Sequence, residues 1–571
     1  MLALDEYCQR ASFVRVLAVC LLFPLGPLVI VALTECMPLQ PVEKGPFANY
    51  VFWIRHTFMG TLLVVCAMVQ AKSWIPDISM TLKQVIMVAI GSALVYTAAC
   101  IAIADLWVFP IPFLVVGGAP LMFAIWATAT RLVLGSRPLD GVQDGEFLGH
   151  QFLLITSVHA SLLGIYPAYQ AVFLALDPWM QLGMVALLQG INLALKNVQT
   201  ALGSHLEDNL PEVITFSVDV FSAIYSVLCM HSANSMKMVG LTLALNTSVL
   251  LLSLHGMSRR SRAARSSRTF LQHQKLRRPD DGPAQLTTLV GTTLRLLQAP
   301  EQLDLVEVRS TRLLSGLPQK LSNYNKGVLN LLATRSVYSN SRRVSETVSV
   351  AEIKEKYSSA AMEGRSLSDL HLPAPPTRLK NNPRLRGVFL VVQATRWLET
   401  DDFSGDIVAA RICPAVTNSN AVITAVLEET QKQNTRAVKQ ALQLLFSNEH
   451  LGLSAYTQAV IPVLYLCYMP VLQALPNHVY YPTHYRYFGD AKEFNERMTV
   501  IGTLAMLQFA GLTALQVFVS KRFGVSTIYQ AAFVLETQFV FLQGRLLIWL
   551  IFAVQSTLVH YGTLHSQLLP H

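Results

Sequence analysis

The chain predicts an all-α, polytopic helical membrane bundle of about eleven spans, eight before and three after a long cytoplasmic insert. Three observations carry that prediction. Of 571 residues, 52% are hydrophobic and only 14% charged, whereas ordinary soluble domains carry roughly 25% charged residues. Runs of about 20 apolar residues recur along the chain, the length that crosses a bilayer core, where a β-barrel would show ~10-residue alternating segments. The charge is also segregated. Residues 256–450 hold 28 Lys and Arg against 17 Asp and Glu, and the remainder of the chain holds 16 against 18.

The expected spans before the insert are 14–33, 50–69, 85–104, 111–130, 152–176, 181–195, 213–230 and 238–255. After it come 456–475, 498–520 and 530–555. The first is read as a retained span, because Pro24 and Pro27 interrupt it and no small-residue cleavage site follows. The sixth is the shortest and carries Gln189 and Asn192, so a re-entrant or interfacial segment is its alternative. The chain therefore divides into a membrane part at 1–255, a basic insert at 256–450 and a second membrane part at 451–571.

Lys and Arg concentrate on the cytoplasmic side of a membrane. With the N-terminus inside, the even connections hold Lys72 and Lys83, Arg131 and Arg137, Lys196, the insert, and Lys521 with Arg522. The odd connections before the insert hold only Lys44, Arg55 at a span edge, and Lys237. One outer loop resists, since 476–497 carries Arg486, Lys492 and Arg497. This orientation puts the N-terminus and the insert in the cytoplasm and the C-terminus outside, in a membrane of unspecified identity.

The insert opens on a polybasic run, Arg259, Arg260, Arg262, Arg265 and Arg268. Its segment 258–283 is poor in apolar residues and is expected to be unfolded when free. Such a run beside a span suits anionic lipid at about 1 kcal/mol per basic residue near the surface. It also suits a solvated determinant of orientation, so both readings stand. Charge next to a span speaks against nucleic acid as the partner. Arg342-Arg343-Val344-Ser345 matches a basic-directed kinase site at Ser345, a short pattern that also arises by chance. Residues 286–297 could lie as an amphipathic helix on the bilayer, 316–383 reads as disorder, and 387–392 is β-prone. Residues 420–446 repeat apolar side chains at helical spacing and lead into the ninth span.

Three stretches stand out together: EVITFSVDVFSAIYSVLCMH over 212–231, LPNHVYYP over 475–482 and YQAAFVLET over 529–537. Their order, with a basic insert between the first and second, resembles a large group of uncharacterised multi-pass proteins from oomycetes. The resemblance covers residues 200 to 560. It implies a fold and a membrane location, and no site role.

Ionisable groups inside spans cost roughly 2.5–3.5 kcal/mol each on insertion scales, so each needs a partner or water. The candidates are His159, Asp219, Glu536 and Arg545. On one straight helix Glu536 and Arg545 fall about 180° apart, while Gln543 shares the face of Glu536. The functional expectation pairs Arg545 with Asp219 across helices and sets Glu536 or His159 along a polar pathway. The plainer expectation is a set of interhelical locks without transport. The aromatic stretch 475–488, with His478 and His484, reads either as a ligand-facing lid or as an interfacial belt, and two histidines are too few for a structural zinc site.

No Gly-x-x-x-x-Gly-Lys-Ser/Thr, His-Glu-x-x-His or Gly-x-Ser-x-Gly occurs, which points away from an enzyme, and no cofactor or metal is expected. The eight cysteines are scattered without a Cys-x-x-Cys pair. The first functional expectation is a transporter- or channel-like protein. The alternative is a non-transporting scaffold or receptor that recruits cytoplasmic partners through the insert.

Overall fold

The computed structural model describes residues 1–273 apart from 76–77, 79, 136–144, 204–209 and 234. It then describes 419–481, 491–555 and 557–562, with isolated positions 293, 296, 303, 322, 325 and 326 between. Every regular element among these residues is helical. That is the solution a bilayer demands of an apolar chain, because backbone N–H and C=O groups find no partner in hydrocarbon except along their own helix. Nine helices among the described residues are long and apolar enough to cross a membrane.

The surface is what a membrane protein requires. Val14, Leu82, Leu106, Leu132, Leu251 and Met506 are each more than half exposed, the inverse of a soluble fold, where contiguous exposed apolar area is rare. The helix Leu210–Ala233 is the axis of the bundle, with 94% of its apolar window buried. Around it pack helices from both sides of the insert, in one continuous core that runs from Val16 and Phe52 to Leu535 and Trp549.

Three elements depart from the expected layout. The last expected span, 530–555, is not one helix. Thr527–Thr537 and Phe539–Gln555 meet at Gln538 with a 91° bend, and only together are they long and apolar enough for a tenth candidate, a broken span or a re-entrant loop. The sixth expected span lies inside Pro178–Leu202, 25 residues long and so about 37 Å. It matches its neighbours in length but is too polar to rank with the nine. Its polar side chains have uses: Gln189 donates to Asn246, Asn192 accepts from Tyr166 and Lys196 pairs with Asp219.

The third departure concerns the insert. Span eight does not end at 255. Its helix continues from Met236 to His273, so the opening of 258–283 is helical and not unfolded. On the far side, 420–446 and the ninth span are one helix, Ser419–Ala474. Arg259 is exposed on the first of these helices. The side chains of Arg260, Arg262, Arg265 and Arg268 lie outside the described residues, as do Ser345, most of 286–297, and the segments 316–383 and 387–392.

The connections sort to two ends of the bundle. At one end Asn477 donates to the carbonyls of Glu35 and Met37, His560 meets Gln40 and Asn49, and Phe113 N–H donates to Gly562. Gly562 sits at φ +60, and a Cβ there would lie 2.2 Å from the carbonyl oxygen of Ile111, so only glycine closes that corner. At the other end Met1 and Leu4 pack with Leu254, Leu445, Phe523 and Val525, and Arg522 donates to Ser258.

Candidate functional site

The axis helix is imperfect by composition. Val213, Ile214, Thr215, Val218 and Val220 are β-branched and weak helix formers, and Ser217 competes for the backbone. Ser217 Oγ donates to the carbonyl of Val213 at 2.6 Å. Residues Thr215–Asp219 wind as a π-helical turn, with Phe216 at φ −81°, ψ 18°. A wide turn inside a buried helix frees carbonyls that must find donors elsewhere. Here neighbouring helices supply them. Arg545 Nη1 donates to Val213 O at 2.9 Å, Trp549 Nε1 to Phe216 O at 2.6 Å, and Tyr166 Oη to Val218 O at 3.3 Å.

A polar cluster surrounds this turn. Lys196 Nζ stands 2.5 Å from Asp219 Oδ1. Ser217 also donates to Gln199, and Thr215 Oγ1 lies 3.4 Å from His450 Nδ1. Gln538, at the 91° bend, donates to Glu212. Gln530 donates to Glu449 at 3.2 Å and to Leu445 O, and Asn448 donates to Gln530 at 2.7 Å. Glu212, which opens motif 212–231, thus meets Gln538, one residue past motif 529–537, across 326 positions.

Arg545 joins this cluster to a cavity of about 160 Å³, whose walls are mainly aromatic and aliphatic: Trp126, Phe152, Leu163, Trp549, Met59 and Phe123 among them. Its polar lining is His56, Gln70, Tyr96, Thr156, His159, Arg545, Gln555 and Tyr561. Arg545 is 2% exposed, and its guanidinium lies 4.8 Å from the Phe541 ring centre and 5.5 Å from that of Trp74. Its Nε and Nη2 make no hydrogen bond among the described residues. The His159 ring packs edge-on against Trp549 at 5.8 Å. His56 Nδ1 lies 3.4 Å from Tyr561 Oη, which donates to Gln555 at 3.0 Å.

Of the five residues expected within spans, the structure brings His159 and Arg545 to the cavity and Asp219 to the cluster. The expected Arg545–Asp219 pair does not form. Asp219 pairs with Lys196 instead, and Arg545 turns to the carbonyl freed by the π turn. Glu536 does not line the cavity. It is 25% exposed and bridged to Arg15 at the start of the first apolar helix, through Nε at 3.0 Å and Nη2 at 3.2 Å. The bend at Gln538 also separates Glu536 from Gln543, so their shared stripe does not exist. Gln543 donates to Phe23 O, where the first span breaks at Pro24.

Sequence reasoning missed the most buried ion pair. Arg55 Nη2 lies 2.6 Å from Glu35 Oε1, with side chains 1% and 0% exposed, and Tyr481 Oη donates to the same oxygen at 2.8 Å. Glu35 fell two residues beyond the expected first span, and Arg55 was read as an edge charge. Tyr481 and Asn477 are buried and fasten the loop to Glu35, Met37 and Leu39, while His484 lies outside the described residues. Arg497, one of the outer charges that resisted the orientation rule, donates to the carbonyls of His231 and Ser232 and pairs with Glu493 at 2.6 Å. It caps the C-terminus of the axis helix, where a cation is favoured.

The chain matches no protein-family model, no curated protein and no solved structure.

Proposed function

We propose that this chain is a transporter- or channel-like membrane protein whose route passes the aromatic cavity and the polar cluster joined by Arg545. One observation carries the reading. Arg545 is a buried cation, anchored by one nitrogen, with the other edge of its guanidinium free of protein hydrogen bonds among the described residues. An arginine kept only as an interhelical lock would be expected to use its whole donor set, because each unmatched buried donor costs about 1–3 kcal/mol. A buried charge beside a cavity is the pattern of substrate and ion routes within membranes. Glu212, whose charge acts on Arg545, has its own hydrogen bond from Gln538.

The test is flux into proteoliposomes, screening protons, common ions and small metabolites, for wild type beside Arg545→Gln and Asp219→Asn. Arg545→Gln should abolish flux in folded protein. Asp219→Asn should instead lower the yield of folded protein, since it leaves Lys196 without its carboxylate. Folded wild type that moves nothing across the panel overturns the reading.

A second reading has its own support. The helices bordering the insert, 38 and 56 residues long, reach about 57 and 84 Å against a bilayer core of ~30 Å, so both extend well past a membrane. That geometry suits a scaffold that presents the insert, with its polybasic start near anionic lipid, to cytoplasmic protein partners. Deleting residues 316–383 should spare flux if the protein transports and abolish partner recruitment if it is a scaffold. The orientation proposed with either reading keeps the N-terminus and the insert in the cytoplasm.

A further inference from the structure

We infer that the aromatic cavity seats the tail of one bilayer phospholipid, whose hydrocarbon chain enters sideways between the helices Ala119–Leu134 and Gly145–Ala175. The inference does not depend on the transporter-like reading above. Its first support is shape. Lining residues run along the helix Tyr50–Trp74 from His56 to Gln70, along Gly145–Ala175 from Phe152 to Leu163, and along Phe539–Gln555 from Arg545 to Gln555. At 1.5 Å per residue these stretches cover about 21, 17 and 15 Å. The volume, about 160 Å³, is close to the roughly 150 Å³ that admits benzene. Drawn out over such a length, it has the width of a single chain rather than of a fused ring system.

The second support is chemistry. No charged residue other than Arg545 lines the cavity, and the polar groups of its wall are turned away or engaged. His56 Nε2, His159 Nε2, Gln555 Nε2 and the Nε and Nη2 of Arg545 are all closed to a water-sized neighbour. Thr156 donates to Phe152 O, Tyr561 donates to Gln555, and the Tyr96 hydroxyl meets Cys100. A carboxylate, an amine or a sugar would find at most the Gln70 amide, at one end of the slot, and would lose its hydration without replacement. An apolar cavity stays free of water, and an empty one forfeits dispersion contacts along its walls. A hydrocarbon chain restores those contacts and strips no polar group of its partners.

The third support is access. The helices Ala119–Leu134 and Gly145–Ala175 both line the cavity, yet among the described residues they hardly touch. Trp126 and Phe152 form a ring pair between them at 6.4 Å. Phe123 and Trp126 on one helix, and Thr156 and Ala160 on the other, are only partly buried. The same two helices carry Leu132 and Leu153 on faces open to the surroundings, 81% and 59% exposed. Both are apolar spans, so the gap between them lies at the depth of lipid tails. The hydrocarbon present there in a bilayer is the acyl chain of a phospholipid, whose head group remains at the membrane surface.

The experiment is photolabelling of the full-length protein in phosphatidylcholine nanodiscs, with a diazirine placed near the tail end of one phosphatidylcholine chain. Adducts should form on Met59, Leu163 and Trp549, which line the cavity and are otherwise buried, as well as on exposed positions such as Leu132. A diazirine placed beside the ester should label the exposed positions and miss the three cavity residues. Ala160→Leu and Ala67→Leu, each of which fills the slot from its wall, should lose the cavity adducts and keep those at Leu132. The comparison of the two diazirine positions in wild type stands even where a filled variant does not fold. No cavity adduct in folded wild type, equal cavity labelling from both diazirine positions, or undiminished cavity labelling in a folded filled variant would each overturn the assignment. Cavity labelling by a free fatty acid carrying the same diazirine, with none from the phospholipid, would overturn it too. Cavity adducts of the expected pattern in a protein that carries nothing into proteoliposomes uphold the lipid seat and defeat the transport reading alone.

Discussion

Glu35 and Arg55 face the most severe consequence of losing a partner, because both are essentially unexposed and each is the other's only counter-charge within salt-bridge distance among the described residues. Truncating one member of such a pair strands a buried charge at a cost of about 3–5 kcal/mol, whereas replacing both with apolar groups is often neutral. Glu35→Ala should therefore lower thermal stability sharply, and Glu35→Leu with Arg55→Met should recover most of it, as read from melting curves in detergent. His560, outside the spans at the same end, responds to pH. Burial pushes its imidazole down to about 4; the Gln40 carbonyl and Glu43 oppose that, and Arg55 adds to it. Its ordinary value is near 6.5. Below pH 6.5 the unfolded chain takes up a proton that the folded chain refuses, so stability falls between about 6.5 and 4 and is unaffected above. The loss is on the order of 3 kcal/mol at most. His560→Gln, which keeps a donor for Gln40, should flatten the melting temperature over that window; an unchanged slope would assign the effect elsewhere.

Among the elements, the axis helix depends on donors from other helices. Trp549→Phe removes the indole donor to the Phe216 carbonyl within the π turn and should cost about 1–3 kcal/mol. Trp126→Phe removes only a contact from Nε1 to the sulfur of Met68, a weak acceptor, and should cost clearly less in the same melting assay. The bent pair at the end of the chain behaves differently. Its Glu536–Arg15 bridge joins side chains 25% and 62% exposed, and such pairs contribute at most about 1 kcal/mol. Arg15→Ala should thus shift stability little and leave flux unchanged. A large loss of flux would place Glu536 beside the proposed route.

On the scale of the whole molecule, the two ends of the bundle make a prediction about sidedness. The connections at 36–49, 107–113, 475–481 and 557–562 gather at one end, with the N-terminal helix and residues 254–258 and 520–526 at the other. Cys8 and Cys36 are both exposed and flank the first apolar helix. In single-cysteine variants of sealed cells, a membrane-impermeant maleimide should label Cys36 and a cysteine replacing Lys44 from outside. It should leave Cys8 and a cysteine replacing Lys521 unlabelled until the cells are opened. Labelling of Cys8 and Cys36 from the same side would refute the crossing between them. Of the three basic residues at 476–497, Arg497 has a structural use at the end of the axis helix.

The sequence alone determined the helical class, the approximate positions of the spans and the basic insert. Each follows from local composition: a run of about 20 apolar residues has one economical structure in hydrocarbon, and a surplus of Lys and Arg needs no tertiary information to be counted. It also singled out His159, Asp219 and Arg545 by the cost of placing them inside spans. Who pairs with whom was decided only by the tertiary structure. The wheel relating Glu536, Gln543 and Arg545 assumed a straight helix, and the bend at Gln538 cancels it. The partner of Arg545 is the carbonyl of Val213 beside the π turn, and no periodicity in the chain announces a carbonyl. Glu35 met Arg55 and Tyr481 across 20 and 446 positions. Buried charge must be compensated, but which group compensates it is a matter of packing, and packing is settled in three dimensions.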